Sequence, residues 1–122
     1  MSISLVSTIF NDCFGLECFF SAMESQTKQP NEIIIVDAGS TDGTWELMQA
    51  EATRMDRPWR MIALQENRCN VARGRDLAIE AATGELIVST DIGCNWAPEW
   101  LEELVTSLEA DPKIDLVIGS WA

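Results

Sequence analysis

The sequence predicts an α/β domain with a mostly parallel sheet. Two observations support this prediction: short apolar runs alternate with amphipathic helical patterns, and turn residues separate most of them. Strands that alternate with helices are joined by right-handed crossovers and lie parallel to one another. The 122 residues have about the length of one domain, and 47% of them are apolar, which is enough for one core. We therefore expect a single domain.

The predicted elements follow one another in the order β-α-β-α-β-α-β-α-β. Apolar and β-branched runs predict strands over residues 3–9, 33–36, 60–64, 86–90 and 114–118. Helices are predicted between them over residues 16–23, 45–55, 71–82 and 98–108. The second strand is a continuous β-branched run, which is typical of a strand covered on both faces. Thr44 and Asn70 are the expected N-caps of the second and third helices, and Pro98 suits the first turn of the fourth.

Composition and charge exclude several classes of function. The chain has 20 acidic and 8 basic residues and a formal charge of −12. A surface so negative repels nucleic-acid phosphates and anionic lipid, so we expect neither as a partner. No apolar run approaches the roughly 18 residues of a membrane span, and the amino terminus lacks the basic region of a signal peptide. The four cysteines form no CxxC pair, so we expect reduced thiols in a cytoplasmic protein.

Charged side chains follow the predicted strands at the edge of the sheet where ligands bind. Ligands of open parallel sheets bind beyond the carboxyl ends of the strands. Asp37 and Asp91 each follow a strand there, and Arg68, Arg73 and Arg75 lie within eight positions of the third loop and helix. With a diphosphate ligand, Asp91 would reach a ribose or Mg²⁺ or Mn²⁺, which prefer hard oxygen ligands. Arg73 and Arg75 do not share a helix face, so one can meet a ligand phosphate while the other pairs with an acid or solvent.

The aspartates also have structural alternatives. Asp37 can contact ligand hydroxyl or base N–H groups, or it can cap its own turn by accepting from the amides of Gly39 and Ser40. Asp42 lies at a helix entry, where a capping role is more frequent than ligand contact. Asp91 can likewise form a turn. The residues alone leave the choice open for Asp37, favour the cap for Asp42 and slightly favour ligand contact for Asp91.

Four segments together resemble the family 2 glycosyltransferases, which have the GT-A nucleotide-diphospho-sugar fold. The segments are STIFND at 7–12, SQTKQPNEIIIVDAGSTDGT at 25–44, NVARGRDLAIEAATGE at 70–85 and STDIGCNWAPEWLEEL at 89–104. The second segment is highly specific, because strand, acid, turn and helix entry follow in the family's order. The resemblance implies a Rossmann-like three-layer sandwich. It also implies that residues 1–122 are the nucleotide-diphospho-sugar-binding half of such a domain, truncated after the fifth strand.

The resemblance implies a role for each loop at the carboxyl edge. Thr8 and Phe10 would border the nucleoside, and Asp37 would lie in its pocket. Asp91 would be the leading acid of the metal-binding Asp-x-Asp motif and would bind Mg²⁺ or Mn²⁺. The two arginines of the third helix, Arg73 and Arg75, would lie in the segment that closes over the donor. In such enzymes a divalent cation neutralises the departing nucleoside diphosphate, while a carboxylate base activates an acceptor hydroxyl that attacks the anomeric carbon with inversion.

The sequence also departs from the family's pattern. Ser7 replaces the usual proline of the first strand, and Phe10 replaces the usual tyrosine. Ala38 replaces a second acid that commonly contacts the base, and Gly93 replaces the second acid of Asp-x-Asp, so neither a uridine donor nor a complete metal site is implied. The family's general base lies beyond the fifth strand, so we expect a fragment of a longer enzyme or a chain that does not transfer sugar alone. The acceptor could be a glycan, a lipid or a protein.

A different class of function remains as an alternative. The chain could be a non-catalytic nucleotide-sugar-binding or interaction module that kept the fold. Ala38, Gly93 and the missing acceptor-binding half favour this alternative. Without that half, apolar surface would be exposed, and such surface favours a homodimer.

Overall fold

The computed structural model describes residues 2–110 and contains a four-stranded sheet. The strands are β1 (Ile3–Ile9), β2 (Glu32–Asp37), β3 (Arg60–Gln65) and β4 (Leu86–Ser89). The helices are α1 (Cys13–Glu24), α2 (Thr44–Ala52), α3 (Val71–Ala81) and α4 (Trp100–Ala110). All the paired strands of this sheet are parallel, which confirms the predicted α/β class. The predicted fifth strand over residues 114–118 lies outside the described residues.

The order of the strands, β3-β2-β1-β4, explains why helices cover both faces of the sheet. The chain moves outward from β1 through β2 to β3 and then returns to place β4 on the other side of β1. Because crossovers are right-handed, a reversal of direction moves the connecting helix to the opposite face. Leu5 packs in one core with Phe19 of α1, whereas Val6 and Ile34 pack in a second core with Ala78 of α3. The predicted three-layer arrangement is therefore confirmed.

The boundaries of α2 and α4 differ from the predicted ones. The prediction that Thr44 is the N-cap of α2 was wrong, because Thr44 is already helical and Gly43 is the capping residue, with a φ of 102°. Two residues suited to helix entry, Asp42 and Thr44, lie on either side of this glycine, so the sequence alone does not distinguish them. In the fourth helix, Pro98 lies in a turn, and the helix begins at Trp100.

A buried carboxylate fastens the amino-terminal edge of the sheet, opposite the edge where ligands bind. Glu32 accepts hydrogen bonds from the Ser4 hydroxyl at 2.6 Å, the Thr83 amide at 2.6 Å and the Thr83 hydroxyl at 2.9 Å. Burial raises the pKa of Glu32, but these hydrogen bonds outweigh burial, and the pKa lies below its usual value. The interaction joins β1 and β2 to the loop between α3 and β4.

Candidate functional site

A cleft of about 860 Å³ lies at the carboxyl ends of β1, β2 and β3. Residues 8–10, 38–39 and 67–71 line it. From β1 come Thr8 and Phe10, of which Phe10 is 59% exposed. The helix α3 approaches β1 closely only because residue 74 is glycine: a Cβ on Gly74 would lie 2.6 Å from Thr8 Cγ2. The cleft therefore occupies the position at which parallel α/β sheets bind their ligands.

The loops that follow β1 and β2 are fastened to each other. The backbone N–H of Asn11 donates to the Ser40 hydroxyl at 2.8 Å, and Asn11 Oδ1 accepts from the Thr41 amide at 2.8 Å. Asn11 has a φ of 46°, a left-handed conformation that asparagine adopts more readily than most residues. Phe10 precedes Asn11 directly, so this reciprocal pair of hydrogen bonds helps to fix the part of the cleft that Phe10 lines.

Asp37, the acid at the end of β2, is completely buried. Its carboxylate accepts from the Ser40 amide at 3.0 Å, from the Ser40 hydroxyl and from Gln65 Nε2 at 2.9 Å. Gln65 is its partner in the parallel register of β2 and β3. The bond from the Ser40 amide is part of the turn cap that the sequence left open as an alternative. The next two residues, Ala38 and Gly39, line the cleft, whereas Asp37 does not.

Asp42 is engaged at the entry of α2, as predicted. Its Oδ1 accepts from the Thr44 amide at 3.0 Å and from the Thr44 hydroxyl, and its Oδ2 accepts from the Cys13 amide at 3.4 Å. The hydrogen bond from the Thr44 hydroxyl, partly opposed by burial, lowers the pKa of Asp42. Asp42 thus joins the entries of α1 and α2.

The loop between β3 and α3 forms the remaining wall of the cleft. Its Arg68 donates a backbone N–H to the Ala38 carbonyl at 2.9 Å. Gly39 has a φ of 103°, and a Cβ there would lie 2.9 Å from Asn67 Oδ1, so glycine permits both the turn and the approach of this loop. Asn70 caps α3 through its Oδ1, as predicted. The three segments that line the cleft are therefore joined by hydrogen bonds, which give the cleft a largely preformed shape.

Two ion pairs involve the arginines of α3. Arg73 Nε lies 3.0 Å from a carboxylate oxygen of Glu66, and Arg75 Nη2 lies 3.8 Å from Asp91 Oδ1. The side chains of both pairs are 40–51% exposed, so solvent screens them. Arg75 and Asp91, which lie in different segments of the sequence, are therefore close together in the structure. Arg73 is paired with Glu66, an acid that lies outside α3.

Asp91 is the one candidate metal ligand that the sequence identified. The Ser7 hydroxyl donates to the Thr90 carbonyl at 2.6 Å and fixes the backbone just before it. Within the described residues, no three histidine, cysteine, aspartate or glutamate side chains come together as a metal site. Magnesium-type ions can be held by one or two carboxylates plus substrate phosphates and waters. Asp91 therefore fits an ion that arrives with a diphosphate, and does not fit an ion held by the chain alone.

The predicted site residues occupy different places around this edge. Thr8 and Phe10 line the cleft, Asp37 lies buried beside it, and the remaining three (Arg73, Arg75 and Asp91) are exposed outside its lining. Asn67 and Arg68 line the cleft but were not among the predicted site residues. Their position in the arginine-rich loop before α3 was the feature of the sequence that could have identified them as cleft residues.

A Rossmann-like α/β sandwich with a preformed cleft at the carboxyl ends of its strands defines a nucleotide-binding class of domain. The sequence matches the family described as Glycosyl transferase family 2 over residues 4–122. The chain therefore belongs to glycosyl transferase family 2.

Individual relatives agree with this assignment. The chain is 28% identical to glycosyltransferase AglE of Haloferax volcanii over 97% of this chain and 38% of the relative. It is 32% identical to glycosyltransferase GlyG of Streptococcus pneumoniae over 98% of this chain and 38% of the relative. The chain thus spans a little over a third of the length of these relatives. No helix within residues 2–110 has the length and apolar character needed to cross a membrane.

A solved structure supports the GT-A fold. The mannosyltransferase PcManGT of Pyrobaculum calidifontis, determined in complex with GDP-Man and Mn²⁺, superimposes with a TM-score of 0.80 and 27% sequence identity. The match covers 92% of this chain and 33% of that protein. The four-stranded parallel sheet therefore corresponds to a part of a larger glycosyltransferase domain.

Proposed function

We propose that this chain binds a nucleotide-diphospho-sugar in the cleft at the carboxyl ends of β1, β2 and β3. The observation that carries the proposal is the cleft itself, about 860 Å³ in volume, lined by three loops of a family 2 glycosyltransferase domain. A volume of this order suits a ligand of several hundred daltons. The similarity to a mannosyltransferase that binds GDP-Man supports the same class of ligand. On this proposal, residues 1–122 are the donor-binding half.

The nucleoside would lie at the end of the cleft formed by β1 and the loop after β2. Thr8 and Phe10 would border it, since both line the cleft and Phe10 offers an exposed ring for stacking. Asp37 would belong to the same pocket. Its carboxylate is completely buried behind its partners Ser40 and Gln65, so direct contact with a nucleoside would require one of these side chains to move aside.

The diphosphate would lie toward Asp91 and the arginines of α3. Arg75 is supported as a phosphate ligand because it already lies beside Asp91, and Arg73 because its pair with Glu66 is exposed and easily exchanged. Asp91 would hold Mg²⁺ or Mn²⁺ together with the diphosphate oxygens. When bound, such an ion neutralises charge on the departing nucleoside diphosphate. The chain's own contribution is to orient the diphosphate at this end of the cleft.

In the whole enzyme, we expect the sugar to pass to an acceptor hydroxyl on a glycan, a lipid or a protein, with inversion. The general base would lie outside residues 1–122. A cytoplasmic location is supported by the four cysteines, all of which are free thiols. Burial raises the pKa of the Cys69 thiol, which lines the cleft, so this group stays neutral at neutral pH.

A non-catalytic binding or interaction module is the second candidate. It is favoured by Ala38 and Gly93, which replace two acids of the family's pattern. Self-association as a homodimer would accompany this candidate. An activity assay of the full-length protein distinguishes the two candidates. Only a glycosyltransferase would release nucleoside diphosphate when donor and acceptor are both present.

Thermal unfolding with added nucleotides tests the proposal. A ligand that binds only the native state at about 100 times its Kd adds about 2.7 kcal/mol to the free energy of unfolding. For a domain of this size that corresponds to a Tm increase of roughly 10 °C. We expect this shift with at least one of GDP-, UDP- or dTDP-sugars in the presence of Mn²⁺. Asp91→Asn should weaken it, whereas Asp56→Asn, a matched change in the segment that leads into the amino end of β3, should not. A panel without any shift would refute donor binding by this chain.

A further inference from the structure

Among the described residues, one cationic side chain lines the cleft. Arg68 lines the cleft and is exposed. Among residues 2–110, four other arginines form ion pairs: Arg54 and Arg57 with acids around α2, and Arg73 and Arg75 with Glu66 and Asp91. Arg60, at the amino end of β3, lies outside the cleft lining and forms no ion pair with these residues. Arg68 is in no ion pair within this part of the chain. In a protein with a formal charge of −12, an uncompensated guanidinium in the cleft points to a ligand with acceptor or anionic groups.

The backbone at Arg68 is strained, which makes an arginine there costly. Its φ is 61°, in the left-handed region where a residue with a Cβ loses about 1–2 kcal/mol. The conformation is fixed by the bond from its N–H to the Ala38 carbonyl at 2.9 Å and by the Cys69 amide, which donates to the Glu66 carbonyl at 3.3 Å. Glycine would adopt this conformation without cost. A strained backbone conformation of this kind is typical of residues whose side chains have a functional role.

The order of the strands places Arg68 at the nucleoside end of the cleft. In the four-stranded sheet, β4 and β3 are the two outermost strands. Asp91 follows β4, and the loop of Arg68 follows β3. Three inter-strand spacings separate β4 from β3, a distance of about 14 Å. This span is of the order of a nucleoside diphosphate, so a ligand with its diphosphate at Asp91 directs its base toward the loop of Arg68.

We propose that Arg68 contacts the base of the donor nucleotide and selects guanine. This inference rests on the proposed donor binding. The guanidinium carries only hydrogen-bond donors, and Ala38, beside it, offers no side-chain acceptor. A base that contacts this guanidinium must therefore present acceptors to it. Guanine presents two adjacent acceptors, O6 and N7, which match a bidentate arginine, whereas adenine presents one acceptor beside a donor. Uracil places an N–H donor between its two carbonyl groups.

Calorimetric titration of the chain with GDP, UDP and ADP in the presence of Mn²⁺ tests this assignment. Wild-type protein should bind GDP at least tenfold more tightly than UDP or ADP. Arg68→Gly keeps the left-handed backbone and removes the guanidinium, so it should weaken GDP binding tenfold or more while the Tm stays equal or rises. Arg68→Lys keeps the charge but not the bidentate donors, so it should reduce the preference for GDP. Arg60→Gly, at the amino end of β3, is the matched control and should leave GDP affinity unchanged.

The outcomes separate this inference from the proposed function. Wild-type affinity for GDP in Arg68→Gly would overturn the role of Arg68. Tighter binding of UDP or ADP than GDP would overturn the assignment of guanine. Either result would leave donor binding itself intact, whereas the absence of binding by all three nucleotides would overturn both.

Discussion

Substitution of Asp37 by alanine should destabilise the fold substantially, although Asp37 belongs to the predicted nucleotide pocket. Its buried carboxylate accepts three hydrogen bonds from Ser40 and Gln65. A hydrogen bond to a charged group contributes about 1.5–3 kcal/mol, so the three would sum to roughly 4.5–9 kcal/mol if all were lost. Gln65 is exposed and Ser40 is half-buried, so water can replace part of the loss. We therefore expect Asp37→Ala to reduce the free energy of unfolding by about 2–4 kcal/mol.

Urea unfolding followed by tryptophan fluorescence and circular dichroism measures this effect. Asp37→Asn should cost roughly half as much, because its oxygen can still accept from the Ser40 hydroxyl and Gln65 can turn its amide to present an oxygen. Combining Asp37→Ala with Gln65→Ala should give a coupling energy of about 1 kcal/mol, since the two side chains are in direct contact. Asp56→Ala, which breaks only an exposed ion pair with Arg54, should shift the midpoint far less than Asp37→Ala. An Asp37→Ala variant with wild-type stability would refute the structural role of this carboxylate.

Two further variants probe other parts of the fold. Glu32 has a lowered pKa, so its contribution to stability is fully present above the unfolded pKa of about 4.3 and is lost as the pH falls through the lower folded value. In Glu32→Gln, the free energy of unfolding should therefore depend less on pH between about pH 5 and pH 3 than in the wild type. An unchanged pH dependence would argue against the hydrogen bonds of Glu32 to Ser4 and Thr83. Gly74→Ala should cost about 1–3 kcal/mol, despite the better helix propensity of alanine, because its Cβ meets Thr8 Cγ2. Adding Thr8→Ser, which removes that methyl group, should restore much of the stability in thermal unfolding, and a double variant no more stable than Gly74→Ala would exclude this contact as the cause.

Periodicity predicted the architecture because the core follows the strand pattern directly. Leu5 and Val6 alternate between the two faces of β1, and the continuous run of β2 is buried throughout. The caps were harder, because they depend on backbone angles. Asn70 is a strong capping residue that directly precedes the helical pattern of α3, and it is the N-cap. At α2 both Asp42 and Thr44 suited the position, but the N-cap is Gly43, which has a positive φ.

The contacts of the candidate site were less predictable, because they depend on strand register and on loops far apart in sequence. Gln65 reaches Asp37 across 28 positions, through pairing that only the sheet defines. Arg75 and Asp91 come together because β4 returns to the side of β1. Spacing identified all of these loops as ligand-binding candidates, but it could not show that the Asp37 carboxylate has internal partners or that Arg68 lines the cleft.

The proposed function requires a nucleoside diphosphate to bind at the carboxyl edge of the sheet. Backbone amide chemical shifts, recorded by NMR during titration with GDP or UDP and Mg²⁺, test it most directly. We expect the largest shifts at residues 8–10, 38–39 and 67–71, which line the cleft, and negligible shifts around Glu32 and Trp59 at the amino-terminal side. Unchanged cleft resonances with both nucleotides, or shifts concentrated around Glu32 and Trp59, would contradict the account.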